Sequence, residues 1–253
     1  MPTNPEIRVV GSSEELYRAA AEEYVHLANE AVRTRERFTV ALSGGSTPRG
    51  LYRLLAGEED GFRSRVPWGQ IHFFWGDERH VPPAHPDSNY RMAYEAMLSR
   101  VPVPPANVHR VPAENPDAGK AAEVYAQTLR EFYRLALGQI PRLDLILLGM
   151  GPDGHTASLF PGTGTVHEET RLVAAPWVEK FNAHRITLTP PVLNNAAHVI
   201  FLVSGEAKAE TLRAVLQGAY QPDRFPAQVV RPVDGHLLWM VDPAAAQRLR
   251  PPR

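Results

Sequence analysis

The sequence predicts an α/β fold with three layers, α/β/α, around a mostly parallel, Rossmann-like sheet. Continuous apolar runs at 38–43, 143–148 and 198–203 have strand length and no polar alternation, which is typical of strands buried on both faces. Segments with helical periodicity separate these runs, as in a sheet covered by helices. Glycine-rich turns follow two of the runs, at 44–47 and 149–154.

Each predicted element has a local signal. Ser12 and Glu15 form a capping box, and apolar side chains at helical spacing extend the first helix to about residue 35. Pro48 suits the first position of a helix, where a missing N–H costs nothing. The predicted strands are 7–10, 38–43, 71–75, 143–148, 171–175, 185–189, 198–203 and 237–241. The predicted helices are 12–35, 48–56, 88–100, 116–137, 191–195, 206–217 and 243–249, with a further short helix expected from His155.

Length and composition limit the classes of function. A chain of 253 residues with 43% hydrophobic and 22% charged residues fits one globular domain, 1–253. The net charge of −1 provides no field that would attract nucleic acid or an anionic membrane. No apolar run reaches the roughly 18 residues that span a bilayer, and residues 1–6 do not resemble a signal peptide. We therefore expect a cytoplasmic protein, and the sequence leaves the choice between monomer and dimer open.

Asp153 and His155 are the first candidates for chemistry. They lie on the glycine-rich turn after the strand at 143–148, where open α/β sheets bind their ligands. An imidazole titrates near neutral pH and a carboxylate can orient it, so the pair is typical of an acid/base site. The alternative is an ordinary Asp-Gly turn with a histidine at the start of a helix. A second site signal elsewhere in the chain favours the functional interpretation.

That second signal is a turn after the strand at 38–43, which comprises Gly44, Gly45, Ser46 and Thr47. Backbone N–H groups of such a turn, at the start of a helix, can cradle a phosphate, and the two hydroxyls add donors. It is not a P-loop, because no Gly-Lys-Ser/Thr follows. Taken alone, the turn could also be purely structural.

Five charged side chains are expected near these turns. Arg185 opens one predicted strand and Lys208 follows another, so both could neutralise a phosphate dianion, although a single Arg or Lys is more often a solvated surface charge. The three charges that follow the strand at 71–75 are Asp77, Glu78 and Arg79. They form either a solvated loop with a local ion pair or the mouth of the site, where the guanidinium would stabilise an oxyanion.

Several kinds of site lack their sequence signals. The ten histidines include no pair at metal-ligand spacing and the chain has no cysteine, so we expect no metal and no disulfide. No Gly-x-Gly-x-x-Gly follows a strand, so no dinucleotide cofactor is expected. Ser43, Ser46 and Ser158 lack the Gly-x-Ser-x-Gly context of a serine nucleophile.

Together these residues resemble the 6-phosphogluconolactonase family. The matching segments occur in family order at 42–48, 75–82, 87–89, 149–162, 185–189 and 204–208. They span most of the chain, and the run Asp-Gly-His-Thr-Ala-Ser-Leu-Phe-Pro that begins at Asp153 is highly specific. The resemblance implies a fold similar to that of glucosamine-6-phosphate deaminases. It also implies hydrolysis of 6-phospho-D-glucono-1,5-lactone in the oxidative pentose phosphate pathway, without a cofactor.

The resemblance implies roles for the binding residues. The substrate phosphate would bind at 44–47, with Arg185 and Lys208 as counter-charges. Asp77 and Glu78 are expected in the substrate site, either in contact with the ligand or organising the neighbouring guanidinium.

It also implies a mechanism. Neutral His155 would take a proton from the water that attacks C1, and Asp153 would orient the imidazole and stabilise its charged form. The oxyanion would be stabilised by Arg79 or by a backbone N–H near 149–151.

Two other functions stay open at this point. Glucosamine-6-phosphate deaminases share the phosphate turn and the Asp-Gly-His sequence, but their pattern has a glutamate where this chain has Phe160, which cannot carry a proton. The other hypothesis is a catalytically silent sugar-phosphate sensor with the same fold. The intact Asp153, His155 and Arg79 argue against a sensor.

Overall fold

A parallel sheet forms the centre of the protein in the computed structural model, which describes residues 5–250. Within this range the strands are β1 (Glu6–Val9), β2 (Phe38–Leu42), β3 (Ile71–Trp75), β4 (Asp77–Arg79), β5 (Leu145–Leu148), β6 (Val173–Ala174), β7 (Trp177–Val178), β8 (Ala183–Leu188), β9 (His198–Val203) and β10 (His236–Val241). The α-helices are α1 (Ser13–Arg35), α2 (Ser46–Ala56), α3 (Phe62–Arg65), α4 (Asn89–Ala96), α5 (Ala118–Tyr133), α6 (Pro190–Asn194), α7 (Ala209–Gln217) and α8 (Pro243–Ala246). Residues 1–4, part of the segment that does not resemble a signal peptide, lie outside the described residues. Residues 251–253, the end of the predicted domain 1–253, also lie outside them.

The main sheet has the strand order β1-β10-β9-β5-β2-β3, and each neighbouring pair is parallel. β2 and β5 are buried along their whole length, so both faces of the sheet are covered. The chain passes from β2 to β3 on one side, while β5 lies on the other side of β2. The carboxyl end of β2 is therefore a topological switch point, where α/β sheets bind ligands. The predicted α/β fold with a mostly parallel sheet is confirmed.

Helix α1 begins with a side-chain cap, and helix α5 is hydrogen-bonded to the end of β3. The predicted cap of α1 is half confirmed: Ser12 accepts from the N–H of Glu15 at 3.1 Å, but the Glu15 carboxylate accepts from the N–H of Gly11 at 2.8 Å. Helix α5 is anchored by the Tyr125 hydroxyl, which accepts from the Trp75 N–H at 2.8 Å and donates to the Trp75 carbonyl at 3.0 Å. Among the helices within residues 5–250, none is long and apolar enough to cross a bilayer.

A second, antiparallel sheet of order β4-β8-β6, with β7 paired to β8, was not predicted from the sequence. The segment at 77–79, expected as a turn or loop, is its strand β4. Gly76 joins the two sheets, because its N–H donates to the Leu42 carbonyl and its own carbonyl accepts from the Leu188 N–H, both at 2.8 Å. The charged residues after β3 are thus held in a strand at the edge of the main sheet.

The helix expected from His155 was also wrong. Residues 155–162 form turns, with an isolated bridge between Thr156 and Leu159 and a left-handed Ala157 at φ 47°. The Thr156 hydroxyl donates to the Gly149 carbonyl at 2.8 Å, which ties the segment back to the end of β5. These local bonds close a compact turn, and Pro161 has no N–H with which to continue a helix. The other predicted elements are present, and most of them have shifted ends.

Candidate active site

A cavity of about 300 Å³ lies at the carboxyl ends of the central strands. Its walls come from 43–48 after β2, from β4 after β3, from 149–152 and His155 after β5 and from Lys208 after β9, whereas Asp153 lies behind His155 and does not line the cavity. β8 of the small sheet closes the remaining side. The segments after β2, β3 and β5 therefore meet at one edge of the main sheet, and the second sheet adds a wall that the sequence did not predict.

The turn at 44–47 forms one wall as the start of α2. Gly45 is the N-cap with φ 108°, no side chain caps the helix, and its first turn has no acidic residue. Intrahelical bonding begins at the N–H of Arg49, which donates to the Gly45 carbonyl at 3.2 Å. Pro48 is the third helical residue and not the first as predicted, and it lies before that bond, so its missing N–H again costs nothing. The free N–H groups and helix dipole suit an anion.

Three cations, Arg79, Arg185 and Lys208, also line the cavity. Arg79 and Arg185 are cross-strand neighbours on β4 and β8. In the part of the chain that the structure describes, none of the three forms an ion pair with a carboxylate. Burial lowers the pKa of Arg185, and the charge of Arg79 lowers this pKa further. Burial also lowers the pKa of Lys208, although Asp242 acts against it. An anion in the cavity would relieve this crowding of positive charge.

Asp153 and His155 are in direct contact, through a hydrogen bond between Oδ1 of Asp153 and Nδ1 of His155. Their side chains are 28% and 24% exposed. Burial acts to raise the pKa of Asp153, but the hydrogen bonds and charge of His155 and the hydrogen bond of Lys180 outweigh it and hold that pKa well below its usual value. The carboxylate is therefore ionised at neutral pH. Its bond to Nδ1 leaves Nε2 as the ring nitrogen that can act on a ligand.

Several contacts fix the turn that carries this pair. The N–H of Gly151 donates to the His155 carbonyl at 2.9 Å, and the Thr211 hydroxyl donates to the Pro152 carbonyl at 2.7 Å. A Cβ on Gly151 would lie 2.1 Å from the His155 ring, so only glycine leaves room for the imidazole. One face of the His155 imidazole is covered by the Phe160 ring, which stacks on it with centroids 4.1 Å apart. The imidazole is thus held by packing as well as by its carboxylate.

Lys180 is a third charged group at this pair, and no sequence motif pointed to it. Its Nζ lies 3.0 Å from Oδ2 of Asp153 and 5.5 Å from the centre of the Phe181 ring. Lys180 follows Asp153 by 27 residues on a different element. The only sequence signal was the rarity of lysine, which occurs at 120, 180 and 208.

Asp77 lines the cavity and is 8% exposed. Its Oδ2 accepts from the Ser158 hydroxyl at 2.7 Å and its Oδ1 from Nδ2 of Asn89 at 3.3 Å. Asn89 in turn lies against Gly44, where a Cβ would be 1.9 Å from Oδ1 of Asn89. Neither Ser158 nor Asn89 was assigned a role from sequence, and both orient a carboxylate at the site.

Glu78 does not line the cavity, so its position fits the second expected role, organising the neighbouring Arg79, and not contact with the ligand. Its side chain is 2% exposed. It accepts hydrogen bonds from the N–H groups of Arg79, Asn89 and Tyr90 at 2.7–2.8 Å and from the Ser88 hydroxyl at 3.0 Å. Burial raises the pKa of Glu78, and the backbone bonds act against that rise. Because two of these donors start α4, Glu78 fixes that helix beside the site.

The other histidines lie away from the cavity in the described residues. His72 and His109 contact each other at 3.1 Å, and burial lowers the pKa of His109 to about 4. The rings of His198 and His236 stack with centroids 5.2 Å apart. Across 5–250, no group of three or more His, Cys, Asp or Glu side chains is arranged to bind a metal ion. The imidazole at the cavity is that of His155.

Comparison with known proteins identifies the family. Residues 11–239 match the family model described as glucosamine-6-phosphate isomerases/6-phosphogluconolactonase. The chain belongs to this family. A protein of Synechocystis sp. described as 6-phosphogluconolactonase is 42% identical over 222 residues, which are 88% of this chain and 89% of that relative.

Solved structures agree with this membership of the glucosamine-6-phosphate isomerase/6-phosphogluconolactonase family. The 6-phosphogluconolactonase from Trypanosoma cruzi has a TM-score of 0.86 and 32% identity, with 98% of each chain covered. A monomeric glucosamine-6-phosphate deaminase has a TM-score of 0.80 at 21% identity, covering 96% of this chain and 99% of the deaminase. At that identity the likeness to the deaminase shows the fold alone. The family and the fold relationship predicted from sequence are both confirmed.

Proposed function

We propose that the protein hydrolyses 6-phospho-D-glucono-1,5-lactone to 6-phosphogluconate, a step of the oxidative pentose phosphate pathway. One observation carries the proposal. The same cavity is lined by the start of α2, by three cations that form no ion pair with a carboxylate among the described residues, and by an imidazole that a carboxylate orients. A phosphorylated lactone uses both, because its phosphate fixes its position while water attacks its carbonyl. The relatives described as 6-phosphogluconolactonases support the same reaction.

Substrate binding is assigned to the cation-rich side of the cavity. The phosphate oxygens accept from the backbone of 44–47 and from the Ser46 and Thr47 hydroxyls. Arg185 and Lys208 neutralise the dianion, which makes charge-assisted bonds with them. Asp77, held by its bonds to neighbouring polar side chains, is available to accept from a sugar hydroxyl.

The chemical step is assigned to His155 and Asp153. Nε2 of neutral His155 takes a proton from water as the water oxygen bonds to C1 of the lactone. Asp153 stabilises the imidazolium that results. The tetrahedral intermediate then collapses, the bond from C1 to the ring oxygen breaks, and the imidazolium returns its proton to that oxygen. The product is the open-chain acid, which ionises in water, and His155 is again neutral.

Negative charge develops on the carbonyl oxygen of C1 during the attack. Arg79 lines the cavity, and its Nη1 donates to the backbone carbonyl of Asp87 at 2.6 Å. Among the described residues its guanidinium forms no ion pair with a carboxylate. Its charge is therefore available to stabilise the oxyanion, and the backbone N–H groups near 149–151 are the second source of donors. Preorganised donors of this kind contribute about 3 kcal/mol each to lowering the barrier.

Glucosamine-6-phosphate deamination is the alternative within the same family. The deaminase pattern requires a proton-carrying glutamate at the position of Phe160. Here the Phe160 ring is 5% exposed and stacks on the imidazole. Since this ring carries no acidic proton and fills the space beside His155, the site favours lactone hydrolysis.

The test is the rate of 6-phosphogluconate formation, with the lactone generated in situ from glucose 6-phosphate and its dehydrogenase. We expect wild-type protein to exceed the spontaneous rate. His155→Ala should lose about 10²- to 10⁴-fold in kcat with KM little changed, because a positioned base contributes that much. His26→Ala is the matched control, since His26 is 69% exposed on α1. An unchanged kcat in His155→Ala would contradict the mechanism, and ammonia release from glucosamine 6-phosphate would support the deaminase. A sensor would bind 6-phosphogluconate tightly without turnover.

A further inference from the structure

The two carboxylate oxygens of Asp153 have different partners. Oδ1 contacts Nδ1 of His155, while Oδ2 lies 3.0 Å from Nζ of Lys180. We infer that Lys180 is a positioning residue for the reaction: its ammonium group holds Oδ2, so that Oδ1 stays directed at the imidazole. This inference rests on the proposed hydrolysis, because it concerns the orientation of the general base in that step.

A second contact matters because a carboxylate rotates easily. The terminal torsion of an aspartate is broad and two-fold, and His155 holds only Oδ1, through Nδ1 and, at 3.3 Å, through its backbone N–H. Asp153 also lies on a turn and not in a helix or strand. Lys180 supplies the attachment of the other oxygen, Oδ2, and its positive charge favours the ionised form that orients His155.

The element that carries Lys180 is attached to the rest of the site. Lys180 lies in the 3-10 turn Glu179–Phe181, between β7 and β8. The Phe181 ring packs edge-on against Phe160 with centroids 5.5 Å apart, and the Arg185 guanidinium lies 4.7 Å from its centre. The same short turn thus touches the ring that stacks on His155 and the cation assigned to the phosphate.

Two simpler roles for Lys180 do not fit its surroundings. The lysine does not line the cavity, whereas Arg185 and Lys208 do, so it is not placed to bind the phosphate. The Lys180 side chain is 56% exposed, and ion pairs at such sites contribute little to stability. Its effect is therefore on the geometry and charge of the Asp153–His155 pair.

Removing the ammonium should change how His155 titrates. Of the charged groups around the pair, Lys180 contacts Asp153 directly, and Asp77, Arg79, Arg185 and Lys208 line the same cavity. A lysine charge opposes protonation of a nearby imidazole, so without it the acidic limb of kcat/KM should move to higher pH. For an exposed charge in salt we expect a shift of about 0.5 pH unit.

The experiment compares three substitutions of Lys180 with wild type. Lys180→Met removes charge and donors, Lys180→Gln keeps a donor without charge, and Lys180→Arg keeps both. We expect kcat to fall about 3- to 10-fold in Lys180→Met at unchanged KM, to fall less in Lys180→Gln, and to recover in Lys180→Arg. Lys120→Met is the matched control, because Lys120 is exposed on α5 away from the cavity.

A second readout needs no substrate. The His155 ring is titrated by nitrogen-labelled NMR in the free protein, and Lys180→Met should shift its midpoint upward relative to wild type and Lys120→Met. Failure of wild type to hydrolyse the lactone would refute the proposed function, while this titration would still test Lys180. An unchanged titration together with unchanged kcat would overturn the inference. A rise in KM at constant kcat would also overturn it, because Lys180 would then bind substrate.

Discussion

Replacement of Gly151 by alanine would test whether the imidazole is held as tightly as the structure indicates. The added Cβ would lie 2.1 Å from Nδ1 and Cε1 of His155 and 2.7 Å from Oδ1 of Asp153. Ordinary contact begins at 3.4 Å, so the ring would have to retreat by about 1.3 Å. Stacking on Phe160 restricts that retreat. A misplacement of about 1 Å costs roughly 100-fold in rate, or about 2.7 kcal/mol in the barrier.

The assay for Gly151→Ala is lactone hydrolysis at saturating substrate, with a thermal melt to verify folding. We expect kcat to fall about 100-fold and KM to change little, because the turn at 44–47 is untouched. Gly69→Ala is the control, since a Cβ on Gly69 meets nothing within 4 Å and the residue is remote from the cavity. A folded Gly151→Ala protein with kcat within threefold of wild type would refute the reasoning, because the imidazole would then tolerate displacement.

Two further predictions concern charge. Lys208→Met should raise KM about 10- to 100-fold with kcat little changed, because a charge-assisted bond to the phosphate is lost. Inhibition by inorganic phosphate should weaken in parallel. An unchanged KM would show that Lys208 does not bind the phosphate. The folded-state pKa of Asp153 lies below its ordinary 3.8, so its ionised form stabilises the fold above about pH 4, and this stabilisation is lost as pH falls from there toward the lower folded-state pKa. Urea unfolding should therefore show that the stability difference between wild type and Asp153→Asn shrinks from about pH 5 to about pH 3, and a difference that grows instead would contradict the assignment.

The sequence predicted the main sheet and the position of the site because both depend on local, repeated signals. The predicted bounds of the strands at 71–75 and 198–203 match β3 and β9, since a continuous apolar run bounded by turn residues admits few other interpretations. The polar segments that follow these strands could then be placed at one edge of the sheet, because neighbouring parallel strands end at the same edge. The convergence of three such segments on one cavity follows from this arrangement.

The strand missed at 77–79 lies where contacts distant in sequence, and not local signals, decide the conformation. β4 has three residues, too few for periodicity, and it is a strand because β8, more than a hundred residues later, pairs with it. Glu78 appeared to be a site residue beside Asp77, but side chains alternate across a strand. Asp77 therefore faces the cavity while Glu78 binds the start of α4. A one-residue step along β4 thus separates a cavity carboxylate from a helix-capping one.

The glycines of the turns at 44–47 and 149–154 have a packing role that the sequence motifs did not reveal. They were interpreted as sources of backbone N–H groups and sharp turns, and Gly45 with φ 108° fits that view. Gly44 and Gly151 are required for space instead: a Cβ on either would overlap the side chain of Asn89 or His155. In both turns the missing Cβ lets a polar side chain that serves the site pack directly on the backbone. Such a requirement depends on where the Asn89 and His155 side chains lie, so it becomes visible only once the chain is folded.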